Sequence, residues 1–225
     1  MTKRMIWVAL AVLLVPVVVG AQPILKFDDP TAPGGTVSYD GALGPIIGTD
    51  IQFQSILGIG TPLNSGVNLA CVGCLLNLTT GAVTTEGTPG GAPYQAGPGG
   101  TISIVGGIPA LGIPAGTTLL TGTFAGTPVQ AIGAGLQFGL FAAGGTDEKN
   151  ETLAAFFGLP TDFTFANTAI TTDLDIDPVT AAFSGVVVNA DLNNTSTLVV
   201  VPYPFTLLLV GAGLLGGGLL RRRVV

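Results

Sequence analysis

Histidine is absent from this chain, and cysteine occurs only twice. Without an imidazole there is no Ser-His-Asp or Cys-His machinery for nucleophilic catalysis. Two thiols alone cannot close a four-ligand zinc site. The single tryptophan, Trp7, lies near the N-terminus, and Tyr39 and Tyr94 are the only tyrosines before residue 200. Sugar-binding modules commonly stack ligands on exposed Trp or Tyr rings, so little is offered for that mode of recognition. Cations are also scarce. Lys3, Arg4, Arg221, Arg222 and Arg223 sit at the two ends, which leaves Lys26 and Lys149 against all thirteen acids in between. A central region at −11 cannot neutralise phosphates, which excludes nucleic acid as a partner. Anionic lipid surfaces would also repel it.

What the chain does have is glycine (35), proline (16) and many Thr, Val and Ala residues. The apolar share, 48%, is too high for a disordered polymer. Short apolar/polar alternations recur between Gly/Pro/Asn/Asp clusters, at 36–39, 50–57, 67–70, 75–79, 101–105, 117–124, 136–141, 162–166, 169–176 and 181–192. Short, frequent, β-branched-rich segments of this kind predict an all-β, β-sandwich-like body with many turns. Ile51, Phe53 and Ser55 should share one face and Gln52, Gln54 and Ile56 the other; Leu76, Leu78 and Thr80 should oppose Leu75, Asn77 and Thr79. Segments 169–176 and 181–192 flank Asp177-Pro178 and predict an antiparallel hairpin. One helix is expected through Glu148, Glu151, Leu153, Ala154, Phe156 and Phe157, capped by Asp147 and ended by Gly158 and Pro160. Residues 86–100 are nearly all turn formers, a long surface loop or a connector between two small domains.

The ends read differently. Lys3-Arg4, an apolar run from Met5 to Val19 and then Gly20-Ala21 form the three regions of a secretory signal peptide, with cleavage expected between Ala21 and Gln22. The alternative is an uncleaved N-terminal membrane helix. The expected division is therefore a signal peptide at 1–21, an exported β-rich body at 22–197 and a tail at 198–225. From 198 to 220 no residue is charged. A helix of that length reaches about 34 Å, enough to span a bilayer. Arg221, Arg222 and Arg223 would then stay on the cytoplasmic side. The tail is expected to hold the body on the outer side of the cytoplasmic membrane.

The tail's motifs, Val201-Pro202-Tyr203-Pro204, the Leu/Gly-rich run that follows and the terminal Arg221-Arg222-Arg223, resemble the PEP-CTERM family of sorting signals. The resemblance covers about the last 25 residues, and Tyr203 stands where the family usually has Glu. It implies processing by an exosortase-like enzyme, after signal peptidase has acted at the other end. It also implies a setting of exopolysaccharide and biofilm. A plain single-span anchor is the other reading of the same residues.

Within the body, Cys71-Val72-Gly73-Cys74 is the only cysteine motif. The following Leu75-Leu76-Asn77-Leu78 reads as strand, so a helix-start redox site is disfavoured. A structural disulfide between Cys71 and Cys74 at a strand entry is expected in an oxidising compartment; reduced or metal-linked thiols are the alternative. Asp173, Asp175 and Asp177 alternate with Leu174 and Ile176. They read either as the acidic face of a strand or as calcium ligands. Acids are present for glycoside hydrolysis, but no pair is selected. No catalytic or cofactor-binding residue is expected. Two functions remain: a non-enzymatic surface or matrix protein with a structural or adhesive role among exopolysaccharides, or a carbohydrate-binding or carbohydrate-processing β module.

Overall fold

The computed structural model describes residues 22–29, 34–87, 94–124, 129–134, 137–142, 145–173, 182–187 and 190–196. The expected signal peptide and sorting tail, with Ala21, Val201 to Pro204 and Arg221 to Arg223, lie outside them, as do Asp175 and Asp177. No helix among the described residues is long and apolar enough to cross a membrane.

The expected all-β architecture is present. In chain order the strands are β1 (Ile24–Asp29), β2 (Thr36–Tyr39), β3 (Pro45–Ile59), β4 (Asn68–Thr85), β5 (Tyr94–Ala96), β6 (Gly100–Ile108), β7 (Ile113–Phe124), β8 (Val129–Ala134), β9 (Gln137–Ala142), β10 (Gly145–Lys149), β11 (Asp162–Asp173), β12 (Phe183–Val186) and β13 (Ala190–Ser196). A short helix α1 (Glu151–Phe157) links β10 to β11, and a 3₁₀ turn (Pro109–Leu111) links β6 to β7.

All pairings are antiparallel, and they close. β1 pairs with β3, β3 with β4, β4 with β6, β6 with β7, β7 with β10, β10 with β11, β11 with β13, and β13 returns to β1. The remaining strands continue these in register. β2 follows β1 along β3, β5 precedes β6 along β4, and β8 and β9 extend β7 and β10. β12 likewise pairs with β2 as β13 pairs with β1. The chain therefore runs up and down through eight long staves, several broken once, and the last is bonded to the first. The opposite walls face each other across one core, as the two sheets of a sandwich would, but they belong to a single curled sheet. Among the described residues closure leaves no free edge around these eight strands, while β12 ends the strand order beside β2.

Bulges decide which residues reach that core. The β3–β4 register shifts between Gly48 and Ile51 and again between Phe53 and Ser55. Strict alternation would place Ile56 opposite Phe53; the second shift resets the phase, and Ile46, Ile51, Phe53 and Ile56 are all buried. Leu76, Leu78 and Thr80 point inward as the alternation requires. Segments 68–70 and 75–79 are one strand, β4; β11 and β13 pair antiparallel from Phe165↔Ser196 to Ala169↔Asn193, and the turn of the hairpin expected between 169–176 and 181–192 lies outside the described residues. Of the glycine-rich stretch 86–100, Tyr94–Ala96 is strand, and the strands on both sides of it join one sheet.

One end of the barrel gathers Ile24, the turn at 60–67, the 3₁₀ turn, α1 and Ser196. α1 covers this end with Leu153, Ala154 and Phe157 buried. Its carbonyls hold the 60–67 turn: Leu63 N donates to Phe157 O at 3.0 Å and Asn64 Nδ2 to Phe156 O at 2.7 Å. The helix starts one turn later than expected. Asn150, not Asp147, caps it, accepting from Thr152 N and Leu153 N, and Gly158 ends it at φ 68°. Asp147 is instead an inward residue of β10, because the β alternation continues to Lys149. Toward the opposite end, Tyr39, Tyr94 and Phe183 form a triangle of rings with centroids 5.3–5.7 Å apart. It ties β2, β5 and β12 together.

Candidate functional site

Three polar features stand out against this apolar frame. The first is the disulfide Cys71–Cys74. It does not sit at a strand entry, as expected from the sequence, but inside β4. Residues three apart lie on opposite faces of a regular strand. Gly73, at φ 59°, forms a bulge that adds the missing step, and both sulfurs turn into the core with Cα atoms 5.8 Å apart. Gly106 on β6 gives the bridge its space; any Cβ there would collide with Cys74.

The second is a groove of about 720 Å³ on the outer face of β6, β7 and β10. Register builds it. Thr79 pairs with Thr101, Thr101 with Thr123, Thr123 with Thr146 and Thr146 with the Thr164 position. Two residues along each strand runs a second row, Asn77, Ser103, Thr121, Glu148 and Asp162. Neighbours in a row stand about 4.8 Å apart and the rows about 7 Å apart. Thr123 and Thr146 hydroxyls touch at 3.2 Å. The face thus presents hydroxyls and methyls at a fixed repeat, with two carboxylates side by side at one margin. It can accept and donate many hydrogen bonds to an extended polar chain, and it carries no aromatic platform. Sequence reasoning missed it because its members are about twenty residues apart; the visible trace was a polar-x-polar triplet on each strand.

The third lies inside the barrel. Lys149 Nζ sits 2.7 and 2.8 Å from the two carboxylate oxygens of Asp147, with both side chains wholly buried. Asn194 of β13 donates from Nδ2 to Asp147 Oδ2 at 2.6 Å, and its Oδ1 accepts from Lys149 Nζ at 3.3 Å. Burial drives Lys149 down to about 8 despite the attraction of Asp147. Burial likewise pushes Asp147 above the usual carboxylate range, against the pull of Lys149.

The other body lysine is also paired. Lys26 Nζ lies 2.8 Å from Asp28 Oδ2 and 3.1 Å from Asp191 Oδ1 on the outer face, where Asp28 and Asp191 are cross-strand partners. Burial and the contact with Asp28 raise Asp191; Asp28 is held low by hydrogen bonds from Lys26 and Asp191, which outweigh its own burial.

Among the described residues no group of three or more Cys, Asp or Glu side chains converges on a metal position. The calcium expectation falls outside that statement, since Asp173 is described only as backbone at the end of β11 and Asp175 and Asp177 are not described. Gln22, the expected new N-terminus, is exposed just before β1. No protein-family model, curated protein or solved structure matches the chain.

Proposed function

We propose that the chain is an exported, non-enzymatic surface protein. Its barrel is displayed outside the cytoplasmic membrane and serves a structural or adhesive role in an exopolysaccharide matrix. The observation that carries this reading is the pairing of Ile24 with Thr195. The first and last described strands are neighbours at one end of the barrel, so the described body begins and ends at the same place. That is the geometry a membrane hairpin requires, with Lys3-Arg4 and Arg221 to Arg223 on the same side. The disulfide adds support, since such bonds persist in oxidising compartments. The tail's resemblance to sorting signals supports signal peptidase and an exosortase-like enzyme as processing partners. Cell fractionation with mass spectrometry of both native termini tests the reading. A chain beginning at Gln22, in the membrane or released after the 201–204 motif, is expected. A soluble cytosolic chain that keeps Met1 and Val225 refutes it.

A second reading, that the barrel binds carbohydrate, is favoured by the outer groove with its two rows of hydroxyl, amide and carboxylate groups. Glu148 and Asp162 stand beside each other on one wall rather than across a cleft, which supports binding over glycoside hydrolysis. Isothermal titration with the host's own exopolysaccharide is expected to give saturable binding that Glu148→Gln and Thr123→Val weaken. Binding that both variants leave unchanged removes the groove from the interaction.

A further inference from the structure

We propose that Lys149 and Asn194 become joined by an intramolecular isopeptide bond, with Asp147 as the group that moves the proton between them. The proposal does not depend on where the protein resides. It rests on the cluster inside the barrel, where a primary amine and a carboxamide are held in contact and one carboxyl touches both.

The surroundings move both groups toward the reactive protonation state. Lys149 pairs across the sheet with Leu120 and Asn194 with Leu25, both buried. In such a medium an ion pair and its neutral amine–acid form differ only in the position of one proton, and desolvation penalises the charged form. The two pKa values move accordingly, Lys149 down and Asp147 up. A neutral Lys149 has a free electron pair on Nζ, and a protonated Asp147 can hydrogen-bond to and polarise the carboxamide. Water, the competing nucleophile, is excluded from the core. Nζ already lies 3.3 Å from Asn194 Oδ1, so the amide carbon is one bond beyond an existing contact. Fixing two reactants at near-attack distance replaces a bimolecular encounter with an intramolecular one.

The step balances without an oxidant or a cofactor. The Lys149 Nζ electron pair attacks Asn194 Cγ as Asp147 gives its proton to the carboxamide. Asp147 then takes a proton from Nζ, the Cγ–Nδ2 bond breaks, and Nδ2 leaves as ammonia. The product is a secondary amide between Nζ and Cγ, and the carboxyl is restored. The bond ties β10 to β13, strands that are not sheet neighbours but flank β11 on either side, and thus staples two staves together through the barrel interior.

Peptide mapping of the purified full-length chain tests this. After denaturation and digestion at acidic residues, one branched peptide is expected to join the segments holding Lys149 and Asn194, lighter than their sum by one ammonia. Trypsin, which needs a free lysine, is expected not to cut after Lys149. Asn194→Ala should return separate linear peptides and restore tryptic cleavage. Folded wild-type protein that yields those two segments only as separate linear peptides overturns the proposal, with no variant required. So does an ammonia loss that maps to Gln22 or to Asn194 alone, which would indicate cyclisation instead of a cross-link. Asp147→Asn should also stop the reaction; cross-linking at the wild-type rate in that variant would overturn the role given to Asp147.

Discussion

Phe157 and Gly58 offer the sharpest test of how the barrel is closed. Phe157 is wholly buried at the end of α1, packed edge-on against Phe156 at 5.0 Å, and its ring stands directly over Gly58 of β3. A Cβ at residue 58 would press into that ring and approach Thr61 Oγ1 at 2.9 Å. Phe157→Ala removes a complete buried ring, a loss of about 3–5 kcal/mol. Gly58→Ala overfills the same spot and costs about 1–3 kcal/mol. In the double variant the new methyl enters space the ring has vacated, so the combined loss should fall short of the sum by about 1 kcal/mol or more. Equilibrium urea unfolding followed by circular dichroism measures all three. With a slope near 2 kcal/mol per molar urea, Phe157→Ala should lower the midpoint by about 2 M. Strict additivity, or a Phe157→Ala loss below about 1 kcal/mol, would refute the claim that α1 seals this end through that contact.

Other consequences follow from single features. Replacing both Cys71 and Cys74 by Ala opens a loop of only four residues, so the chain-entropy loss should be about 2 kcal/mol, read as a lower melting midpoint that reductant reproduces in the wild type. Asn150→Ala leaves two helix-start amides without their acceptor and should cost about 1 kcal/mol, whereas Asn150→Asp should be nearly neutral. Tyr39 is pushed up to about 12, first by burial and then by its hydrogen bond to Glu86. Its raised folded value means its contribution is complete below the unfolded pKa near 10 and is lost as pH climbs from there through 12. Denaturation midpoints should therefore decline across that alkaline window, and Tyr39→Phe should flatten that part of the profile.

The two lysines of the body show how far composition alone could reach. Their scarcity excluded nucleic acid at once. Each has an acid two residues away on its own strand, Asp28 and Asp147, but the third members did not follow from spacing, because Lys26 reaches Asp191 and Lys149 reaches Asn194 only through strand β13. Asp147 illustrates the same limit. Its position before an acidic, apolar-periodic segment is that of a helix cap, yet β pairing to Gly122 and Phe163 extends the strand past it and hands the cap to Asn150. Cys71 and Cys74 could be expected to bond, but the bulge that aims both sulfurs inward depends on pairing with β3 and β6.

By itself the sequence determined the all-β class, the frequent turns, the closeness of the two cysteines and the shared face of Leu76, Leu78 and Thr80. These depend on local propensity and a two-residue period, which any strand imposes on its own side chains. The closure of the sheet, the adjacency of β1 and β13, the outer Thr rows and the inner Lys–Asp–Asn cluster were decided only by tertiary structure. Each requires a register between strands far apart in sequence, and register is set by bulges and cross-strand packing that no single strand encodes.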